Sequence, residues 1–173
     1  MSEKYLNFKK DSPEVQVLIK WWEGLEKERG ERAALRRCST LAEVVFLPAY
    51  HLLRRALLNI GRFDDDHLSL VVGLSARVKA NINGLGIAEQ MATGKTVASK
   101  DAKAKVSGLR FRRLLKVKDR EELFSAMTRV IALLGGTVDL QSLARSVYLW
   151  NDRYVDIRKE WAFEYYSKAP DEK

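Results

Sequence analysis

Residues 107–136 read SGLRFRRLLKVKDREELFSAMTRVIALLGG, and the spacing inside this stretch decides the fold class. At about 100° per residue, Phe111, Leu114 and Leu115 fall within an arc of roughly 40–140° from Arg110. Arg112, Lys116 and Arg113 fall opposite, within roughly 200–300°. That predicts a helix from Ser107 to Lys116 with one apolar and one cationic face. Asp119, with Glu122 three residues on, is a capping-box-like start for a second helix running to Leu134. Gly135 and Gly136 end it, as glycines do where the chain must leave a helix.

The same period continues on both sides. Downstream, Asp139 caps a helix carrying Leu140, Leu143 and Val147, and Trp150, Tyr154, Ile157, Trp161 and Tyr165 stripe a last helix at steps of three and four. The aromatic stripe is read as core packing, although exposed aromatics could stack bases. Upstream, Ser12, Pro13 and Glu14 form an N-terminal helix signal, followed by Val15, Leu18, Ile19, Trp22 and Leu25. Short helices are expected at Glu31 to Cys38 and from Thr40 to Val45. Pro48 opens another that Gly61 closes, and Asp64, Asp65 and Asp66 precede one bearing Leu68, Val71 and Val72. A further short helix is expected around Ile87 to Met91. Residues 93–106, TGKTVASKDAKAKV, are small, polar and basic, and read as a flexible loop. No strand-like alternation of useful length appears. The expectation is an all-α fold of two small helical bundles packed together with no sheet: a lobe at 1–92, the basic loop at 93–106, and a lobe at 107–173.

Composition fits a soluble globular chain: of 173 residues, 46% are apolar, 9% aromatic and 31% charged. The N-terminus, MSEKYLNFKK, lacks the apolar centre of a signal peptide, and no run of about 18 apolar residues suggests a membrane span. Cys38 is the single cysteine, so no internal disulfide can form, and a cytoplasmic location is expected.

The net charge of +8 sits in one place. Residues 95–120 hold ten Lys and Arg against Asp101 and Asp119, and the remaining 147 residues balance at 21 cations and 21 anions. Concentrated positive charge makes a field that a polyanion can find. Within it, Arg110, Arg112, Arg113 and Lys116 form the cationic helical face, and Arg120 follows. Solvated faces normally mix signs; this one lacks a carboxylate, which points to phosphate binding. A second cluster, Arg29, Arg32, Arg36 and Arg37, makes an arginine stripe suited to bidentate phosphate contacts, unless neighbouring Glu23, Glu26, Glu28 and Glu31 neutralise it.

Three other patterns do not carry chemistry. Gly94-Lys95-Thr96 resembles the end of a phosphate loop, but Glu89 stands where that motif needs glycine, and no strand precedes it. Asp64-Asp65-Asp66-His67 suits a helix start, where acids are favoured by the dipole, better than a metal site. Cys38 with His51 or His67 has no nucleophile signature, and a buried small residue is the simpler reading for it. No catalytic residue, metal or cofactor is assigned.

The two basic segments also carry a family resemblance. Arg29-Gly30-Glu31-Arg32-Ala33-Ala34-Leu35-Arg36-Arg37 resembles a G-x-R-A-x-L-R-R segment, and Arg110-Phe111-Arg112-Arg113-Leu114-Leu115 an R-F-R-R-L-L segment, of the CasB family. That family is the small subunit of the type I-E CRISPR surveillance complex, Cascade. Leu133-Leu134-Gly135-Gly136, Asp139-Leu140 and an R-x-x-W-A-x-x-Y-Y run from Arg158 to Tyr166 follow in family order. The resemblance covers residues 14–167. It implies an all-helical, non-enzymatic subunit, present in two copies beside the backbone and large subunits, with CRISPR RNA and target DNA as partners. It implies a nucleic-acid role for Arg32, Arg36, Arg37, Arg110, Arg112 and Arg113; Lys116 and Arg120 join them from charge geometry alone. Ala144-Arg145-Ser146 departs from the family pattern, where an acidic residue is common. Guide pairing would supply sequence specificity, so such a protein needs only charge and shape. The rival readings are a scaffold whose basic face docks other proteins, and a stand-alone non-specific DNA-binding protein.

Overall fold

The computed structural model describes residues 4–94 and 103–171. Among them the chain forms helices α1 (Pro13–Leu25), α2 (Arg29–Arg37), α3 (Leu41–Val45), α4 (Pro48–Leu58) and α5 (Asp65–Ser75), a two-residue strand β1 (Ala80–Asn81) and α6 (Ile87–Ala92). After residues 93–106 come α7 (Gly108–Leu115), α8 (Arg120–Leu133), a second short strand β2 (Thr137–Val138), α9 (Leu140–Tyr148) and α10 (Ile157–Lys168). No helix among the described residues is long and apolar enough to cross a membrane.

Local chemistry sets most boundaries. Side chains of Ser12, Thr40, Asp64, Ser107, Asp119 and Asp139 each accept a hydrogen bond from a first-turn N–H of the helix that follows, satisfying donors that have no partner within the helix. At the end of α8, the Gly135 and Gly136 N–H groups donate to Ala132 O at 3.0 Å and Ile131 O at 2.9 Å. This is a Schellman turn, and it needs φ of +73° and +77° at the two glycines.

α5 is the central helix. Leu68 to Ser75 are buried on every side, as expected of a helix enclosed by neighbours, and α3, α8 and α9 pack around it. Gly73 lets α8 approach: a Cβ there would lie 2.6 Å from the Phe124 ring. α6 lies against α10, so elements before and after residues 93–106 contribute to one buried cluster, and the two expected lobes share a core.

Three details depart from the sequence reading. The fold is not free of sheet: β1 and β2 pair in parallel, Ala80 opposite Thr137 and Asn81 opposite Val138. Two-residue strands show no alternation, and their pairing follows from the Schellman turn, which presents Gly136 O to the Lys79 N–H at 2.7 Å. The last helix does not begin near Trp150. Asp152 Oδ1 accepts from the N–H groups of Tyr154 and Val155 at 2.7 and 2.9 Å, which makes a turn. Tyr154 is therefore 88% exposed, whereas Trp150, Trp161 and Tyr165 are buried. Finally, the far end of the predicted loop is held: Val106 is buried, its N–H donates to Met91 O at 3.0 Å, and its carbonyl accepts from the Tyr165 hydroxyl at 2.6 Å. Lys95 and Thr96 of the Gly94-Lys95-Thr96 pattern, and most of the loop, fall outside the described residues.

Candidate nucleic-acid interface

α7 is fixed from its apolar side. The Phe111 ring stacks on Tyr165 with centroids 3.9 Å apart and planes 8° from parallel, and Tyr166 meets it edge-on. Leu114 is buried beside it. The turn after α7 is clamped by side chains from the α9–α10 connection and the start of α10. Trp150 Nε1 and Arg158 Nη2 both donate to Val117 O at 2.8 Å, and Asn151 Nδ2 donates to Lys118 O at 2.7 Å. The Arg158 guanidinium also lies 4.9 Å from the Trp150 ring centroid, a cation–π contact.

This anchoring leaves Arg110, Arg112, Arg113 and Lys116 exposed. The cationic heads of Arg110, Arg113 and Lys116 make no hydrogen bond or ion pair with other described residues. Arg112 and Arg113 lie in the last turn, where the helix dipole favours cations. The arrangement offers exposed positive charge on a helix anchored from behind, which suits phosphate contact without base reading.

Arg120 goes elsewhere. Its guanidinium reaches Asp66 Oδ2 at 3.3 Å and His67 Nε2 at 3.0 Å, at the start of α5. Because arginine can only donate, His67 accepts at Nε2 and carries its proton on Nδ1. Burial holds His67 below its ordinary value of 6.5; Arg120 reinforces this, while Asp64, Asp66 and Asp152 oppose it. The neighbouring acids are engaged as well: Asp64 caps α5, and Asp65 pairs with Arg54 at 2.7 Å and accepts from the Tyr50 hydroxyl at 2.7 Å. No group of three His, Cys, Asp or Glu among the described residues could hold a metal ion.

The α2 stripe is half turned inward. Arg32 Nη2 donates to Val78 O and Arg36 Nε to Ala76 O, both at 2.8 Å. Arg77 joins them, donating to Gly73 O at 2.6 Å and Cys38 O at 2.6 Å, with its guanidinium 4.7 Å from the Phe124 ring centroid. These carbonyls belong mostly to the end of α5 and the turns beyond it, where backbone acceptors lack helical donors. Burial, then the nearby Arg32, pushes Arg36 down from its ordinary value. Arg29 and Arg37 remain exposed and, with Arg32 and Arg36, line a shallow notch of ≈ 390 Å³. The glutamates considered as neutralising partners do not pair with these arginines; the partners are backbone carbonyls about 40 residues away.

Arg120 and Arg36 are thus tied to opposite ends of α5, at Asp66 and Ala76, some 15 Å apart along the helix axis at the usual rise per residue. Arg77 and a second basic residue escaped the sequence reading. Arg129 is exposed on α8 and faces Arg110 and Arg113 across an open groove of ≈ 840 Å³. Its signal was present in the spacing of Glu122, Ser125 and Arg129 along one side of the helix. At Ala144-Arg145-Ser146, Arg145 forms a two-pronged pair with Glu160 at 2.7 and 3.2 Å.

In overall shape the chain is similar to CasB from Thermus thermophilus, with a TM-score of 0.64 at 23% identity, covering 90% of this chain and 99% of that one. It is equally similar to a second solved structure from Thermus thermophilus, a CRISPR-associated protein of the Cse2 family, with a TM-score of 0.62 at 24% identity and the same coverage. No curated protein matches the chain in sequence. The family model for CRISPR-associated protein Cse2 matches residues 31–166, a span that holds α7, the packing of Phe111 on Tyr165, and all but the first arginine of the α2 stripe. The chain belongs to the CRISPR-associated Cse2 family, that of the CasB proteins.

Proposed function

We propose that this protein is a non-catalytic small subunit of a CRISPR RNA-guided surveillance complex of the type I-E Cascade kind. In this role it grips nucleic-acid backbone without sequence preference and stabilises opened target DNA, including the displaced strand. The observation that carries the reading is the outward face of α7, where Arg110, Arg112, Arg113 and Lys116 stand exposed on a helix locked from behind by Phe111. That face lacks Asn and Gln, which read base edges, and it offers charge at fixed spacing. Exchanging one duplex for another in an R-loop is nearly balanced in free energy, so a few phosphate contacts tip it. The partners in this reading are CRISPR RNA, target DNA, the backbone and large subunits and a second copy of the chain, in the cytoplasm. Arg37 extends the same role at the α2 notch, with Arg32 and Arg36 lending field from partly buried positions.

The test is a salt titration of single-stranded and duplex DNA binding. Contact with about four to six phosphates gives log K falling against log salt with a slope of roughly −3 to −5. A flat dependence, or strong preference for one sequence, refutes it.

A further inference from the structure

We infer that the groove between α7 and α8 is a docking site for an acidic, amphipathic helical segment of a protein partner. The inference goes beyond the nucleic-acid reading and shares only Arg110 and Arg113 with it. The floor of the groove is apolar. α8 contributes Ala126, Val130 and Leu133, which fall on one stripe at helical spacing, and Leu114 and Val117 supply the other side. Ala126, Leu133 and Val117 pack on the core yet stay partly open to solvent. The rim is cationic: Arg110 and Arg113 stand on one side and Arg129 on the other, with Glu122 the one carboxylate among the described lining residues.

This combination selects the occupant. A base would need a flat π surface to stack on, and no aromatic residue is among the described residues lining the groove. An apolar trough between two helices is the shape that receives the apolar face of a third, through side chains at i, i+3 or i+4, and i+7. The three arginines then require carboxylates flanking that face, and they repel a basic segment. Such a segment would cover Arg110 and Arg113 from the groove side, so it and a nucleic-acid backbone would compete for the protein.

The experiment uses the full-length protein and three fluorescein-labelled synthetic peptides. One carries leucines at i, i+4 and i+7 among glutamates, one has the same composition with the leucines scrambled, and one is poly-glutamate of equal charge. Labelled oligo-dT is the fourth probe. The patterned peptide is expected to bind at least about tenfold more tightly than either control and to be displaced by oligo-dT. Ala126→Gln places a neutral, helix-compatible chain on the floor and should weaken the patterned peptide at least about fivefold, with oligo-dT affinity held within about twofold. Ala132→Gln, at an exposed position of the same lining, gives a second variant that does not disturb the core; circular dichroism checks both. Equal binding of scrambled and patterned peptides, no binding of the patterned peptide, or equal weakening of peptide and oligo-dT by the folded variants each overturns the proposal. The last outcome would put nucleic acid in the groove, and failure of oligo-dT binding alone would refute the nucleic-acid reading while leaving this one intact.

Discussion

On α2, Arg32 and Arg36 turn inward and donate to the carbonyls of Val78 and Ala76. On α7, the heads of Arg110, Arg113 and Lys116 are exposed and form no hydrogen bond or ion pair with other described residues. Both segments are short basic helices with a buried leucine, and charge alone ranks them together. What separates them is the neighbour. α2 lies beside the end of α5, where carbonyls without helical partners accept hydrogen bonds, whereas the turn after α7 has its carbonyls already served by Trp150, Asn151 and Arg158. Arginine next to unsatisfied backbone becomes part of the fold, and arginine beside satisfied backbone remains available to a ligand. Arg120 supports the point within the α7 neighbourhood: it follows that helix in sequence, yet it is committed to Asp66 and His67.

Four measurements put this contrast at risk, taken in order of their expected effect on folding free energy. Phe111→Ala removes the ring that stacks on Tyr165 and should cost about 3–5 kcal/mol, read from the denaturant midpoint; a small loss would mean that α7 is not anchored as described. Arg32→Ala or Arg36→Ala alone should cost about 1–3 kcal/mol, each leaving one carbonyl without its arginine donor, with little change in the salt dependence of DNA binding. A lowered salt slope at unchanged stability would move α2 into the same class as α7.

Third, His67 is held neutral in the folded protein, so the unfolded chain takes up a proton first as pH falls. This contribution to stability is complete above the ordinary value of 6.5 and is lost as pH drops from there toward the lower folded value. His67→Gln should flatten that part of the stability–pH profile, and an unchanged profile would contradict the accepting role of Nε2 toward Arg120. Fourth, the triple change Arg110→Ala, Arg113→Ala and Lys116→Ala should alter stability by no more than about 0.5 kcal/mol. The same triple should make the salt slope shallower by roughly 2 to 3. Loss of fold in that variant would mark the face as structural.

The parts of this molecule that are legible in its sequence are those governed within one turn of chain. Ser12, Asp119 and Asp139 cap helices because a short polar side chain reaches an N–H three residues on, and that can be read locally. The face of α7 is legible for the same reason: its period alone places Phe111 and Leu114 opposite the cations. The inward turn of Arg32 and Arg36 is not, because their acceptors lie about 40 residues away and depend on where α5 stops. Tyr154 falls in a core stripe by spacing alone, which does not reveal the turn that Asp152 makes. The β1–β2 pairing escapes because two residues are too few to alternate. The groove beside α7 needs two helices to be set apart in space, and no single helix wheel contains that.

α5 has a further consequence as a gauge. With Asp66 holding Arg120 at one end and Ala76 holding Arg36 at the other, the phase between these two arginines is set by the number of residues in one helix. Inserting or deleting a single residue within it would rotate one end against the other by about 100°, and a side chain brought into the place of Gly73 would meet Phe124. Length variation in this protein should therefore be confined to the loops, while α5 keeps its residue count.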